Sequence, residues 1–376
     1  MFLALAEMRR AKVRFGLLTG AVALLVFLVL FLQTLQNGLI TAFVGAIKNN
    51  SAPVFVYSVD GRRNLQGGVI LPQLEQQVRA VDGVGRVGEL GQGTFTVRTK
   101  NEGDEDAAII GYQADGLGTP AALSAGRFPS APGEAVASAS DESIGLAIGD
   151  TVEVAPGGLV ITVVGQAENV QLSVTPTLFV PYETYLAAVA VRNPDGGAPL
   201  PNALVVEPAP GVSDGELVDR INAVSDDLDA LTRSDAAAGA PGVSQVQLSF
   251  NIIFVLLAVV VPFVTGLFFL IVTFQKANAL TLLRAIGAPA RKLVWSLLVQ
   301  VGIVTAGGIL IGTALYTLLV SSGGGGNGIS LSYQGGAVTF WSILLFVFSL
   351  ASSLLAARRV LAIDPVLATT GAGVGK

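Results

Sequence analysis

Four stretches of this chain, 15–32, 252–274, 293–320 and 338–357, contain no Asp, Glu, Lys or Arg, and that feature confines it to membrane architectures. A hydrocarbon core of roughly 30 Å takes about 20 helical residues, so each stretch is long enough to span. The 65 residues between Lys292 and Arg358 are uncharged throughout. The insert 321–328 (SSGGGGNG) cannot continue a helix cheaply, so it divides this region into two spans joined by a short outer loop. Composition agrees: 52% of residues are hydrophobic, 13% are charged, and mean hydropathy is +0.66.

The placement of Lys and Arg sets an expected orientation. Arg9, Arg10, Lys12 and Arg14 precede the first span; Lys276, Arg284, Arg291 and Lys292 lie between the second and third; Arg358, Arg359 and Lys376 follow the fourth. These segments hold eleven of the 22 basic residues and only Glu7 and Asp364 of the 27 acidic ones. The long segment between spans one and two keeps eleven basic and 25 acidic residues, a net charge of −14, and is expected outside. That charge is more simply a solubility device than a binding surface. Both termini are expected in the cytoplasm of a bacterium, with the chain in its inner or plasma membrane. A cleaved signal peptide is the rival reading of the N-terminus. Its apolar run covers 18 positions, longer than the about 7–15 of a signal h-region.

The expected organisation is therefore a membrane α-helical fold with four transmembrane helices and a large extracytoplasmic α+β domain inserted between helices 1 and 2. The bounds read as an amphipathic elbow at 1–14, spans at 15–37, 250–274, 293–320 and 338–357, the outer domain at 38–249, an inner loop at 275–292, an outer loop at 321–337 and a tail at 358–376. Within the outer domain, short β-branched runs at 54–58, 94–98, 108–111, 151–154, 159–164, 177–180 and 203–206 predict strands. Apolar residues at three- and four-residue spacing predict helices at 71–81, 182–191 and 214–231, with Ser213 and Glu216 in the pattern of a capping box. The stretch 233–242 (RSDAAAGAPG) reads as a flexible link.

Several functions are excluded by what is missing. The chain has no Cys and no His, which removes thiol nucleophiles, disulfides, the Ser-His-Asp triad and the HExxH zinc helix. No carboxylate spacing singles out a catalytic dyad, so no catalytic residue and no metal site is expected. Proton- or ion-driven carriers place ionisable relays in the membrane, and these spans carry none. A net charge of −5 argues against nucleic acid as a partner. The ending GAGVGK is not a phosphate-binding loop, because Thr370 stands where its first Gly is required.

The inner loop QKANALTLLRAIGAPARKL carries the most mechanism. Leu280, Leu283 and Ile286 recur at three-residue spacing with Lys276 and Arg284 on other faces, and Gly287 ends the helix before Pro289. Such a helix suits a groove on a partner; the same residues also suit an ordinary basic loop touching lipid head groups. The segment LLRAIGAPARKL resembles the loop of the MacB/FtsX family of ABC permeases, whose Leu-Arg-Ala-Leu-Gly-Ala core forms the coupling helix on the ATPase subunit. The start LAEMRRAKVRFGLLTGAVALLV, the ending AARRVLAIDPVLA and the outer segment AGRFPSAPGEAVASASDESIGLAIGDTVEV are similar to the same family's elbow, closing signature and periplasmic core. Ala279, Leu280 and Thr281 replace the family's frequent Glu-Ile-Gly. The plain Gln-Lys start of the loop and the Ile-Asp-Pro-Val ending look closest to the DevC and haem-exporter branch.

The resemblance implies a permease subunit in which Lys276, Leu280, Leu283, Arg284, Ala285, Ile286, Gly287 and Ala288 contact the ATPase. It implies two ATPase copies, a second copy of this chain, membrane lipid, and ATP with Mg on the partner and no cofactor on this chain. A hydrophobic or amphipathic cargo such as a drug, lipid, peptide or haem is expected, or alternatively an FtsX-like scaffold transmitting force to a cell-wall enzyme. For haem, Met1 and Met8 precede the first span, which leaves Tyr316 or a weaker ligand within the membrane. Gly16 with Gly20 and Gly308 with Gly312 are expected to let helices approach closely, within the chain or between copies. Pro262 is expected to kink the second span and free a carbonyl for a neighbour to satisfy.

Overall fold

The computed structural model describes residues 8–100, 103–113, 116–275, 289–322 and 332–361. They form two compact units. Among the described residues, one is helical, formed by 8–35, 248–275, 289–322 and 332–361; the other, 36–100, 103–113 and 116–247, is built around a sheet.

Among the described residues, four helices are long and apolar enough to cross a membrane: α1 (Lys12–Lys48), α6 (Val243–Gln275), α7 (Ala290–Ser321) and α8 (Gly335–Leu361). Each shows large apolar side chains outward, among them Leu24, Val259, Leu310 and Ile343, as the lipid-facing side of a span must. Inward, Val22, Val26 and Leu30 of α1 pack with Phe254, Leu257 and Val261 of α6, Tyr316 of α7 and Trp341 and Leu345 of α8. Pro262 lies inside α6. The Ser352 hydroxyl of α8 donates to the carbonyl of Pro262 itself at 2.9 Å, and Thr265 donates to Val261 at 2.8 Å. Gly266 permits that approach, since a Cβ there would run into the Ser352 hydroxyl.

The sheet has ten strands. β1 is Val54–Ser58, β2 Val84–Thr99, β3 Gly103–Tyr112, β4 Ala125–Gly126, β5 Glu134–Ser138, β6 Thr151–Val154, β7 Leu159–Ala167, β8 Thr177–Pro181, β9 Ala203–Pro208 and β10 Leu228–Thr232. Their order is β10-β1-β9-β2-β3-β8-β5-β7-β4, with β6 paired to β2 and β7. Most pairs are antiparallel; β3 with β8 and β5 with β7 are parallel.

Alternation along β1 sends its side chains into two separate layers. Val54 and Val56 join Leu204 and Val206 of β9 beneath α2 (Pro72–Arg79) and α4 (Asp214–Asn222), which contribute Val78, Leu217 and Ile221. Phe55 and Tyr57 face the opposite layer, filled by Val44, Ala46 and Ile47 from the end of α1 and by Ala236 and Ala237 of α5 (Arg233–Ala238). β1 is thus buried on both faces, which accounts for its unbroken apolar run. Around β5 to β8 a second core gathers Val152, Ile161, Val163 and Leu178 under Tyr185 and Ala188 of α3 (Tyr182–Arg192).

Two expectations need correction. The helix read over 214–231 stops at Asn222, and the chain re-enters the sheet as β10, because Leu228 and Ala230 are needed beside β1. The expected flexible link contains α5, whose Thr232 cap accepts from the Asp235 amide and whose Ala236 and Ala237 are buried. Ser213 does cap α4, accepting the Glu216 amide at 3.3 Å, while the Glu216 carboxylate turns to Arg220 at 2.6 Å.

Candidate functional site

Residues of two helices, α1 and α6, are divided between the two units. Phe15, Val22 and Leu30 of α1 belong to the helical cores, whereas Val44, Ala46 and Ile47 of the same helix belong to the core under β1. Phe254 and Val261 of α6 pack among the spans, and Val243 lies in the sheet unit's core. The expected ATPase-contacting residues Lys276, Leu280, Leu283, Arg284, Ala285, Ile286, Gly287 and Ala288 lie outside the described residues, as do residues 1–7 of the expected elbow.

The four glycines separate into two kinds. A Cβ added to Gly308 of α7 would fall 2.5 Å from a Val22 methyl, and one at Gly312 would fall 2.5 Å from the Ala23 carbonyl oxygen of α1. This pair therefore forms a close contact within the chain. Gly16 and Gly20 meet nothing within 4 Å and open onto a shallow apolar groove with Leu17, Leu24, Ile311 and Leu315. Tyr316 is buried, its hydroxyl 2.7 Å from Thr34 Oγ1 and its ring 5.8 Å from that of Tyr333. Nearby on α8, Trp341 donates to Gln33 of α1 at 3.3 Å.

Where α1 meets the sheet, the helix breaks: Val44 has φ −133° and ψ 16°. A break leaves carbonyls of the preceding turn without helical donors. The turn between β7 and β8 supplies them. Ser173 N–H donates to Phe43 O at 2.8 Å, Val174 N–H donates to Ala42 O at 2.9 Å, and Ala46 N–H donates back to Gln171 O at 2.9 Å. Asn49 adds a bond from its side-chain amide to Asn169 O at 2.6 Å, and Gly45 is required because a Cβ would strike that same carbonyl. The turn is held in a costly shape, with positive φ at Asn169 (58°), Ser173 (56°) and β-branched Val174 (59°). Behind it sits Asp141, 3% exposed, in the 3-10 turn that follows β5. Its carboxylate accepts from Gln171 Nε2 at 2.6 Å, from the Thr177 amide at 3.1 Å and from Ser140 Oγ at 3.2 Å. Burial pushes this carboxyl up to about 6, against the pull of those three donors. A cavity of about 100 Å³ adjoins the joint, lined by Phe43, Val44, Leu172, Ser173 and Gln92.

The outer segment that carries the family resemblance also closes into a structure. Gly126, Gly133 and Gly149 all have positive φ (77°, 81° and 93°). Arg127 and Glu134, one residue after the first two, meet as a two-pronged ion pair at 2.8 and 2.5 Å, and the Ser130 amide donates to Glu134 at 2.8 Å. The Arg127 guanidinium and the Ser130 amide hold the Glu134 carboxyl down at about 2. Its folded value lies below the ordinary 4.5, so the tether is complete above that pH and is lost as pH falls toward about 2. In an Arg127→Gln variant that loss moves to higher pH. Amide exchange at Ser130 and Ala131, followed across this range, checks it; an unchanged midpoint contradicts it. No three Asp or Glu residues converge to hold a metal ion among the described residues.

Four membrane-length helices with a sheet-rich domain inserted after the first have the layout of a multi-pass membrane protein. The model of the MacB-like periplasmic core domain matches residues 15–224, and that of the FtsX-like permease C-terminal region matches residues 251–365. The chain belongs to the MacB/FtsX-like family of ABC transporter permeases. Among its relatives, the uncharacterized ABC transporter permease Rv0072 of Mycobacterium tuberculosis is 25% identical over 374 residues, 99% of each chain. Another from that organism, Rv2563, is 25% identical over 375 residues, again 99% of each. Among solved structures, the periplasmic region of MacB from Actinobacillus actinomycetemcomitans is 14% identical, covering 50% of this chain and 92% of that one with a TM-score of 0.36. The extracellular domain of the noncanonic ABC-type transporter YknZ from Gram-positive bacteria is 15% identical, covering 48% and 98%, with a TM-score of 0.33.

Proposed function

We propose that this permease takes energy from a separate cytoplasmic ABC ATPase and delivers it as movement of α1 and α6 to the sheet domain outside. That movement expels a hydrophobic or amphipathic substrate from the outer leaflet or the outer side. The observation that carries the reading is that α1, helical from Lys12 up to its break at Val44, has Val22, Val26 and Leu30 packed among the spans and Ile40 and Phe43 packed against the core under β1. A helix rises 1.5 Å per residue and transmits displacement along its length, which a flexible linker does not. The basic inner segments support an outward sheet domain with 275–292 and 358–376 on the cytoplasmic side. The likeness of 276–288 to the family's coupling loop supports ATPase docking there, with two copies of the chain each engaging one ATPase that holds ATP and Mg. Spans without ionisable residues favour this external drive over ion coupling.

The test is co-purification of the full chain with the ATPase subunit encoded beside it, followed by ATP turnover in lipid. The two copurify, and the permease changes the ATPase rate. An ATPase that neither binds nor responds contradicts the proposal.

A further inference from the structure

We propose that Asp141 is a positioning residue for the joint: by fixing Gln171 and the first amide of β8, it keeps the turn 169–175 closed on the broken end of α1. Its consequence for transport rests on the proposed mechanical function, but the grip itself is a property of this chain alone.

Four observations converge on this role. The broken helix needs donors for Ala42 and Phe43, and Ser173 and Val174 provide them. Those donors point correctly only while three residues of the turn stay at positive φ, a shape that is costly at non-glycine residues and persists only when surroundings over-determine it. Asp141 is the group that over-determines it. It reaches one side of the turn through Gln171, whose own carbonyl accepts Ala46, and the other side through Thr177, whose hydroxyl accepts the Leu172 amide at 2.9 Å. The adjoining cavity means that a released turn has somewhere to go without displacing the packed core.

The carboxylate is buried with hydrogen-bond donors around it and no cation. The charged groups on the surrounding elements are Glu142 in its own turn, Glu134 at the far end of β5, Glu168 at the head of the β7–β8 turn and Lys48 at the end of α1. Burial raises its pKa, and the three hydrogen bonds offset only part of that rise. A carboxyl of this kind gains protons on closing, because the closed joint holds it near 6 and an opened, hydrated one returns to the ordinary 3.8. The grip is therefore tightest below that ordinary value and weakens as pH rises through about 6.

Hydrogen exchange on the full-length chain in lipid nanodiscs, corrected for intrinsic rates, reads the grip directly at residues 42–49 and 169–177. In the native chain, protection there falls about tenfold between pH 5 and pH 7. Asp141→Asn keeps the side chain's shape and, with the Gln171 amide turned over, its hydrogen bonds; its protection is high and independent of pH. Asp141→Ala has low protection at both values and no pH step, about tenfold below the native chain at pH 7 and further below it at pH 5, while β1 and β9 keep theirs. A pH step that survives in Asp141→Asn overturns the proposal, as does unaltered exchange in Asp141→Ala. ATP turnover with the partner, measured on the same variants, separates the two layers. If exchange changes as expected and turnover does not, Asp141 positions the joint and the mechanical reading fails.

Discussion

Replacing Leu283 and Ile286 together by aspartate leaves the permease inserted in the membrane and returns ATP turnover of its partner to the unstimulated rate. In the helix that the sequence predicts for the inner loop these residues share one side with Leu280, at the spacing a groove-docked helix requires. A micromolar contact corresponds to about 8 kcal/mol, and each carboxylate forced unpaired into an apolar groove withdraws several kcal/mol. Two such charges therefore exhaust the docking free energy. Membrane insertion is unaffected because the altered residues lie between spans and the positive-inside balance rests on Lys276, Arg284, Arg291 and Lys292. Copurification and turnover in lipid are the measurements, and undiminished stimulation contradicts the assignment of the coupling helix.

The second large effect lies within the membrane unit. Converting Gly308 and Gly312 together to leucine drives side chains into Val22 and into the Ala23 backbone carbonyl, which cannot swing aside as a flexible side chain would. Overpacking costs about 1–3 kcal/mol at each site, so the apparent melting temperature in detergent falls by roughly 5 °C or more. Converting Gly20 to alanine is the control, since nothing lies within 4 Å of the added carbon. Fluorescence-detected gel filtration after heating distinguishes them. Equal behaviour of the two variants contradicts the α1–α7 contact.

The membrane plan was legible because a helix that meets water keeps a charged or polar face, so a helix-length stretch without charge points to lipid on its outer side. The sheet unit was legible where β-branched residues cluster, as in β1 and β9. It was not legible at β5, whose EAVAS is buried on both sides yet shows neither alternation nor branching beyond Val136. The stretch 214–231 deceived for the opposite reason: Leu217, Ile221, Leu228 and Leu231 keep helical spacing, yet the segment carrying Asp226 and Asp227 ends the helix and tertiary pairing with β1 claims the rest.

The joint left almost no trace in the sequence. Its turn reaches positive φ at Asn169, Ser173 and Val174 without a glycine, so the usual punctuation is missing. Asp141 lies in a polar run, DES, that reads as solvated surface; only the long-range meeting of the chain at 42–49, 141 and 169–177 buries it. Gly45 was the one local signal, and it sits inside what reads as an ordinary helix end.

Everything functional depends on the sheet domain standing outside while the short basic loop stands inside. Because the chain has no cysteine, a single thiol introduced at exposed Ala198 or in the inner loop at Asn278 reports its side of the membrane without background. With a membrane-impermeant maleimide on whole cells, or on spheroplasts where an outer membrane intervenes, Ala198→Cys is labelled at once and Asn278→Cys only after the inner membrane is permeabilised. The reverse pattern would place the sheet on the ATPase side and contradict the account.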